Sequence, residues 1–512
     1  MADASSPARA GGLLVPLALL AHAPAVPAQA LDSWSAGVDS IRESFGIPGM
    51  AIAIVRGDSV LLAEGYGLRR AGATDPVDDE TLFAIGSTTT AVTSTALAIL
   101  VGDGALGWDD RVGDHLPGFR LADPWTTREI TIRDVLGHRS GLPMANLMWL
   151  TGSHDTDELV RRLRHLEPAL GFRDGLAYQN VLYAAAGSIV ERATGRSWAA
   201  FVDEQILSPL GMRRTRTGVA GLGGVPNVAS PHATIDGGAR PVPYRDIDAV
   251  GPAGSILSSA GDMARWLRFQ LADGLVDGRA VVDREALLET RRPQTVMRPD
   301  GPLAVFYPDS PSLAYGMGWV ASRYRGRTLL DHAGGIDGMT ALVALLPEER
   351  IGVAILANLQ LEVPPYWILY PLLDVLLGVE PIDRTEPFRG LMEQVREAVA
   401  VAPPRTPDSP PSLPIEAYAG VYDHPAIGSV EVTIAGDRLA LGLGGMEAPL
   451  EPWHVDTFRA DWTDRAWRAA AGPGWVTFHL DREAAAVSLE LVAVPGERWR
   501  FDRRLKSAEG GR

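Results

Sequence analysis

Residues 84–100 read AIGSTTTAVTSTALAIL: a glycine and a serine, three threonines, then an apolar run. Residues 88–101 carry Ala, Val, Thr and Leu at helical spacing, and the stop falls at Gly102-Asp103-Gly104. Ser87 therefore stands at a helix start, where backbone N–H groups point outward and the dipole favours developing negative charge. A serine in that position is most often a simple N-cap, so chemistry has to be argued from what the rest of the chain brings to it.

Working outward, LDSWSAGVDSIRESFGIPG (31–49) has a helical apolar period and ends at Gly46 and Pro48. MAIAIVRGDSVLLAEGYG (50–67) places two apolar runs around the turn residues RGDS, which predicts a hairpin. TIRDVLGHRSGLP (131–143) offers Thr131 as N-cap with Asp134 three residues on, a capping-box arrangement. Further helices are expected at about 181–193 and over GDMARWLRFQLADG (261–274). LDHAGGIDGMTALVALLPEERIGVAILAN (330–358) reads as two core strands joined at PEER. The expected fold class is α+β, an antiparallel sheet flanked by helices.

The character changes near Leu377. GVEPIDRTEP leads into a polar helix, and APPRTPDSPPSLP (402–414) is a Pro-rich spacer. Beyond it, SVEVTIAGDRLALGLG alternates cleanly, with Val430, Val432 and Ile434, a turn at Gly436-Asp437, then Leu439, Leu441 and Leu443. WVTFHL and VSLELVAV repeat the pattern, which predicts a small all-β domain, a lipocalin-like barrel. The expected division is a leader over 1–30, a main domain over 31–378, a linker over 379–414, the β domain over 415–505 and a tail over 506–512.

Composition limits the function. The 512 residues include 47 basic and 63 acidic side chains, a net charge of −16, which repels polyphosphate and argues against a nucleic-acid partner. Cysteine is absent, which removes disulfides, thiol nucleophiles and thiolate metal sites together. The one lysine is Lys506, so essentially all positive charge is arginine. The first thirty residues combine Arg9, an apolar stretch from about Leu13 to Val26 and small residues at Ala28 and Ala30, the pattern of a secretory signal peptide cleaved after Ala30. Localisation is then secreted or periplasmic, with no stable membrane span once the leader is removed. No cofactor is implied. SHDTDE (153–158) is a polar loop rather than a metal site, and GLGG (221–224) follows no strand that would make it a phosphate cradle.

Three short stretches carry chemistry: Gly86-Ser87-Thr88-Thr89-Thr90, Tyr178-Gln179-Asn180, and His332-Ala333-Gly334-Gly335. In this order and spacing they resemble the serine hydrolases of the penicillin-binding protein and class C β-lactamase superfamily, whose general signature combines S-x-x-K with two further short motifs. LFAIGSTT, DDRVGDHLPGF, YQNVLYAAAGSIVE, GPAGSILSSAGDMARWL and HAGGIDGM add to the likeness, which covers roughly residues 33–375. Residues 415–505, with YAGVYDHPAIGSVEV and APLEPWHVDTFRADW, resemble the β-rich accessory domain often appended to such hydrolases.

The resemblance implies an inserted helical subdomain in the main domain. It also implies Ser87 as acylated nucleophile, Tyr178 as proton shuttle and Asn180 as the group orienting a substrate amide. His332 would sit beside the substrate and bond toward Tyr178 or a carboxylate, and the N–H groups of Ser87 and Gly335, in the Gly334-Gly335 turn of strand, would form the oxyanion hole. The departure is Thr90, where the family places lysine on the same helical face as the serine, its Cβ about 5–6 Å away. A threonine hydroxyl neither accepts the serine proton nor lowers a neighbouring phenol's pKa. Arginine stays protonated, so Arg139 serves at most as a cation for Tyr178, and His332 is the one replacement base the chain offers. Two functions stay open: a slow Ser87 acyl-enzyme hydrolase acting on a small ester, amide, D-amino-acid peptide or β-lactam, and a non-catalytic relative that binds such a ligand or a cell-wall peptide.

Overall fold

The computed structural model describes residues 28–406 and 408–505; the leader up to residue 27 and the 506–512 tail lie outside the described residues. Eight antiparallel strands form the middle layer: β1 (Gly49–Arg56), β2 (Ser59–Gly67), β3 (Thr295–Met297), β4 (Leu313–Tyr315), β5 (Val320–Tyr324), β6 (Arg327–Ile336), β7 (Met339–Leu346) and β8 (Ile351–Ala357). Their order across the sheet is β2-β1-β8-β7-β6-β5-β4-β3, so the predicted β1–β2 hairpin pairs with the last strand.

One expectation is corrected. The segment 330–358 holds parts of three strands, because a second turn at Asp337-Gly338 separates β6 from β7 in addition to the expected one at PEER. The break is hard to read because this part of the sheet is buried on both faces, which makes the apolar run nearly continuous. Ala51, Ala53 and Val55 pack forward with helices α2 (Thr89–Gly102), α3 (Asn180–Thr194) and α4 (Ala260–Leu271). Met50, Ile52 and Ile54 pack backward with α1 (Ala28–Ser44), α5 (Tyr366–Leu377) and α6 (Thr385–Ala400). The helix expected to be polar, α6, is amphipathic and buries Phe388, Leu391 and Met392 in that rear layer. Each fully buried aliphatic side chain contributes about 1.5–3 kcal/mol, so both layers stabilise the sheet between them.

The same alternation divides β6. Leu330 belongs to the front core and Leu329 to the rear one, so His332 faces forward and Asp331 backward. Pairing with β5 stops at Asp331, and residues 332–336 pair with β7 alone. Against the open edge lies the turn that precedes α2. A Cβ on Gly334 would fall 1.9 Å from the Ile85 carbonyl oxygen, and one on Gly86, whose φ is +52°, would fall 2.8 Å from the Gly335 nitrogen.

Residues 420–503 form a closed antiparallel barrel of eight strands whose neighbours follow chain order. Val430, Val432, Leu439, Leu441 and Leu443 point inward as their alternation requires, whereas Ile434 beside the hairpin turn is 46% exposed. Among the described residues no helix is long and apolar enough to cross a membrane.

Adding one methyl at Gly334 forces the strand away from Ile85. Gly334→Ala is expected to lower unfolding free energy by about 1–3 kcal/mol, while Gly223→Ala, whose Cβ meets nothing within 4 Å, leaves it unchanged; calorimetric melting of both variants checks this.

Candidate active site

Ser87 occupies a short 3-10 turn, Gly86–Thr88, that runs into α2. The turn lowers its carbonyl onto the next helical turn, where the Thr90 hydroxyl donates to the Ser87 carbonyl oxygen at 2.7 Å. Thr90 is fully buried, and its hydroxyl lies beside the Tyr315 phenol.

Tyr178 is held by its neighbours in the chain. The N–H groups of Ala177 and Gln179 donate to the carbonyl oxygen and Nδ1 of His138, at 2.9 and 3.1 Å, bracketing Tyr178 between them. Gln179 caps α3 by accepting from the Val181 N–H at 2.9 Å and donates its own amide to the Pro143 carbonyl at 2.6 Å. The imidazole of His138 stacks on the Tyr178 ring with centroids 4.0 Å apart. The Tyr178 hydroxyl oxygen is buried beside Ser87 without a partner in hydrogen-bond geometry. Burial pushes this phenol up to about 12, opposed only by the Ser87 hydroxyl, so it is protonated at neutral pH.

His332 is also a neutral, engaged ring. Its Nδ1–H donates to the Ala333 carbonyl at 2.7 Å and its Nε2 accepts from the Tyr315 hydroxyl at 3.0 Å. Its partner is thus Tyr315, not Tyr178 or a carboxylate as expected, because the backbone carbonyl fixes the tautomer and Tyr315 fills the space in front of Nε2. Burial lowers His332 to about 4, and burial with His332 nearby keeps His138 well below its ordinary range. Arg139 is not a cation for Tyr178: its guanidinium pairs with Asp134 at 3.4 Å, alongside Arg173 at 2.6 Å. Asp134 also completes the predicted capping box with Thr131.

Ser87, Tyr178, Asn180 and Gly335 line one cleft of about 220 Å³ together with Asn146, Trp149 and apolar residues. The Asn180 amide donates to Asn146 Oδ1 at 3.0 Å, which also accepts from the Trp149 indole at 3.2 Å. Asn146 is fixed from outside the main domain: Glu497, on the loop before the last barrel strand, accepts from the backbone N–H groups of Asn146 and Leu147 at 2.6 and 3.2 Å. Sequence reasoning passed over His138, Tyr315, Asn146 and Glu497. Only His138 had a local signal, since it stands inside the HRSGLP stretch that was read for its arginine.

The other sequence candidates have structural roles. His154 bonds the Ile427 carbonyl of the barrel at 3.0 Å and Asp155 caps the helix Thr156–Arg162. Residues 222–224 form a short 3-10 turn. Among the described residues no group of three or more His, Asp or Glu is arranged to hold a metal.

A serine at a helix start, a facing tyrosine and a glycine strand across a small cleft, on a helix-covered antiparallel sheet, define a class of serine-hydrolase-type proteins. The chain belongs to the β-lactamase family, whose model matches residues 36–367, and a domain of unknown function (DUF3471) matches residues 404–509. It is 30% identical over 420 residues to the unguisins hydrolase of Aspergillus violaceofuscus, covering 76% of this chain and 74% of that protein. It is 29% identical to penicillin-binding protein 4 of Amycolatopsis lactamdurans, over 64% of this chain and 84% of that one. The octameric penicillin-binding protein homologue from Pyrococcus abyssi has the same fold, with a TM-score of 0.60 at 23% identity, covering 92% of this chain and 99% of that chain. Fold and relatives together support a hydrolase role.

Behind the site, Asp331 accepts from Tyr307 at 3.0 Å and Tyr366 at 2.5 Å, and burial pushes its carboxyl up to about 7. Between about pH 4 and 6.5 His332 is neutral when folded and protonated when unfolded, so its contribution to stability is lost as pH falls through that window, and His138, lowered by burial, acts with the same sign. Asp331 has the opposite sign: folded, it holds a proton that the unfolded chain has released above pH ~4, so its contribution is lost as pH rises toward ~7. In Asp331→Asn, stability between pH ~4.5 and ~6.5 should therefore climb more steeply with pH, by about 1.4 kcal/mol per unit, in urea titrations; an unchanged slope means Asp331 is ionised in the fold.

Proposed function

We propose that this chain is a slow serine hydrolase acting through a Ser87 acyl-enzyme on a small ester, amide, D-amino-acid peptide or lactam. The observation that carries the reading is the meeting of three things at one point: Ser87 on its helix-starting turn, the unpartnered Tyr178 hydroxyl beside it, and the Gly335 nitrogen on the open strand edge. The N–H groups of Ser87 and Gly335 receive the tetrahedral oxyanion, an effect worth about 3–4 kcal/mol for a well-placed donor. Asn180 contacts the substrate amide, and Gly334 lets the strand come close enough for Gly335 to reach.

Proton transfer follows from the protonated phenol. As Ser87 Oγ bonds to the acyl carbon, its proton passes to the Tyr178 oxygen while the Tyr178 proton passes to the departing nitrogen or oxygen. In the second half, water attacks, its proton goes to Tyr178, and the Tyr178 proton returns to Ser87. The exchange is neutral overall, so it proceeds without a lysine, and His332 acts by holding Tyr315 rather than as a base. Absence of a general base at position 90 withholds the ~10²–10⁴-fold that positioned proton transfer supplies. The leader sequence supports export of the mature protein.

A second reading, a binding protein without turnover, is favoured by one observation: the Thr90 hydroxyl, His138 Nδ1 and His332 Nε2 all have partners already, leaving no free base beside Ser87. Intact mass after incubation with a neutral fluorophosphonate separates the two. The hydrolase reading expects one adduct, absent in Ser87→Ala, and a ~10²–10⁴-fold gain in p-nitrophenyl acetate turnover in Thr90→Lys. A folded wild type that takes no adduct, while Thr90→Lys does, establishes the binding reading instead.

A further inference from the structure

We infer that the Ser87 cleft selects acyl donors that bear no free carboxylate and carry a short apolar group beside the scissile carbonyl. This rests on the serine-hydrolase reading for its chemistry, but its evidence is the composition of the cleft. None of the residues lining it is charged. Its walls are Met144, Trp149, Ile247, Val250 and Ile336, and its polar side chains are neutral amides and hydroxyls.

A carboxylate entering such a space gives up water and meets no cation in return, which the cleft cannot offset with amide dipoles alone. Arg245, two residues before Ile247, does not line the cleft. It is committed three ways: to an ion pair with Asp337, to the Leu150 carbonyl at 3.3 Å, and to the face of Trp467 in the barrel, 5.4 Å from the ring centroid. Arg139 and Arg173 are both held by the buried Asp134. Acidic residues also neighbour the lining residues. Asp246 and Asp248 flank Ile247 in the chain, and Glu497 holds the loop that carries Asn146. With the net charge of −16, the field around the opening disfavours an anionic ligand before it arrives.

Size restricts the ligand further. A volume of about 220 Å³ lies below the ~300–1,000 Å³ of sites that take drug-sized ligands, so a single short aliphatic or small aromatic group with its amide fills it. The fitting class is a neutral ester, or an amide whose carboxyl end is blocked or continued by further residues, with an apolar side chain next to the bond.

The test measures binding in Ser87→Ala, where acylation plays no part. The protein is titrated calorimetrically with racemic N-acetyl-leucine methylamide and, separately, with racemic N-acetyl-leucine as its carboxylate, at neutral pH. The methylamide is expected to bind at least ~10-fold more tightly. Ile336→Arg, placed in the same background to put a guanidinium in the wall, is expected to narrow or invert that preference, with thermal melting confirming that the variant is folded. Equal or tighter binding of the carboxylate overturns the inference, and so does failure of both ligands to bind in the millimolar range. Fluorophosphonate labelling of the wild type reports on the acyl-enzyme separately. A label without the neutral preference sinks the substrate class alone, and a neutral preference without a label sinks the acyl-enzyme and leaves the class standing.

Discussion

The approach of one strand edge to one turn organises this molecule. Residues 332–336 of β6 extend past the end of β5, and the Ile85–Ser87 turn packs against the edge thereby left open. That contact needs glycine twice: at Gly334, because any Cβ collides with the Ile85 carbonyl, and at Gly86, because its φ is positive and its Cβ would strike the Gly335 nitrogen. From it follow the direction of α2, the exposure of Ser87 at the cleft floor, and the closeness of two backbone nitrogens whose hydrogens are not consumed by a neighbouring strand. The packing of a helical layer on each sheet face is what makes the contact rigid, since β6 cannot retreat without disturbing cores on both sides.

What surrounds the serine is neutral and largely buried. Tyr178, Tyr183 and Tyr315 are all pushed upward by burial, and His138 and His332 downward, so every titratable group in the cluster rests in its uncharged form. The hydrogen bonds here join neutral groups: Tyr315 donates to His332, and His138 accepts from the backbone of Gln179. Such a site strengthens the dipoles aimed at an oxyanion, because low dielectric magnifies them, and penalises any step that leaves a bare charge behind. Thr90 suits this environment, since it satisfies its hydroxyl within its own helical turn.

Much of the fold was legible because its signals are local. RGDS closes a hairpin, Thr131 and Asp134 form a capping box, and the alternation over 429–443 builds barrel strands. The sequence also brought Ser87, Tyr178, Asn180 and Gly335 to one place through short motifs. What stayed hidden depends on distance along the chain. Tyr315 reaches His332 only because β4, β5 and β6 lie side by side, and nothing in SLAYGMGW marks that tyrosine. His138 sits at φ +54°, a conformation unusual for histidine, and its two acceptors meet the 177–179 segment some forty residues later. The turn at Asp337-Gly338 was missed for a different reason, since strands buried on both faces lose the alternation by which strands are counted.

The barrel is coupled to the cleft at two points of different character. Glu497 accepts from two backbone N–H groups of the loop that carries Asn146, and Trp467 offers its ring to Arg245, which is paired with Asp337 just beyond the Gly334-Gly335 strand. One contact therefore bears on the side of the cleft that holds Asn180 and the other on the side that holds Gly335. Burial raises the Glu497 carboxyl above its ordinary range, and the two N–H donors and the Trp499 indole oppose that rise. A shift of the barrel relative to the main domain would move both walls of a 220 Å³ space, and in a cleft that small a displacement of one ångström alters which side chain fits beside Ser87. The barrel thus bears on the cleft through Asn146 and Arg245 without lining it.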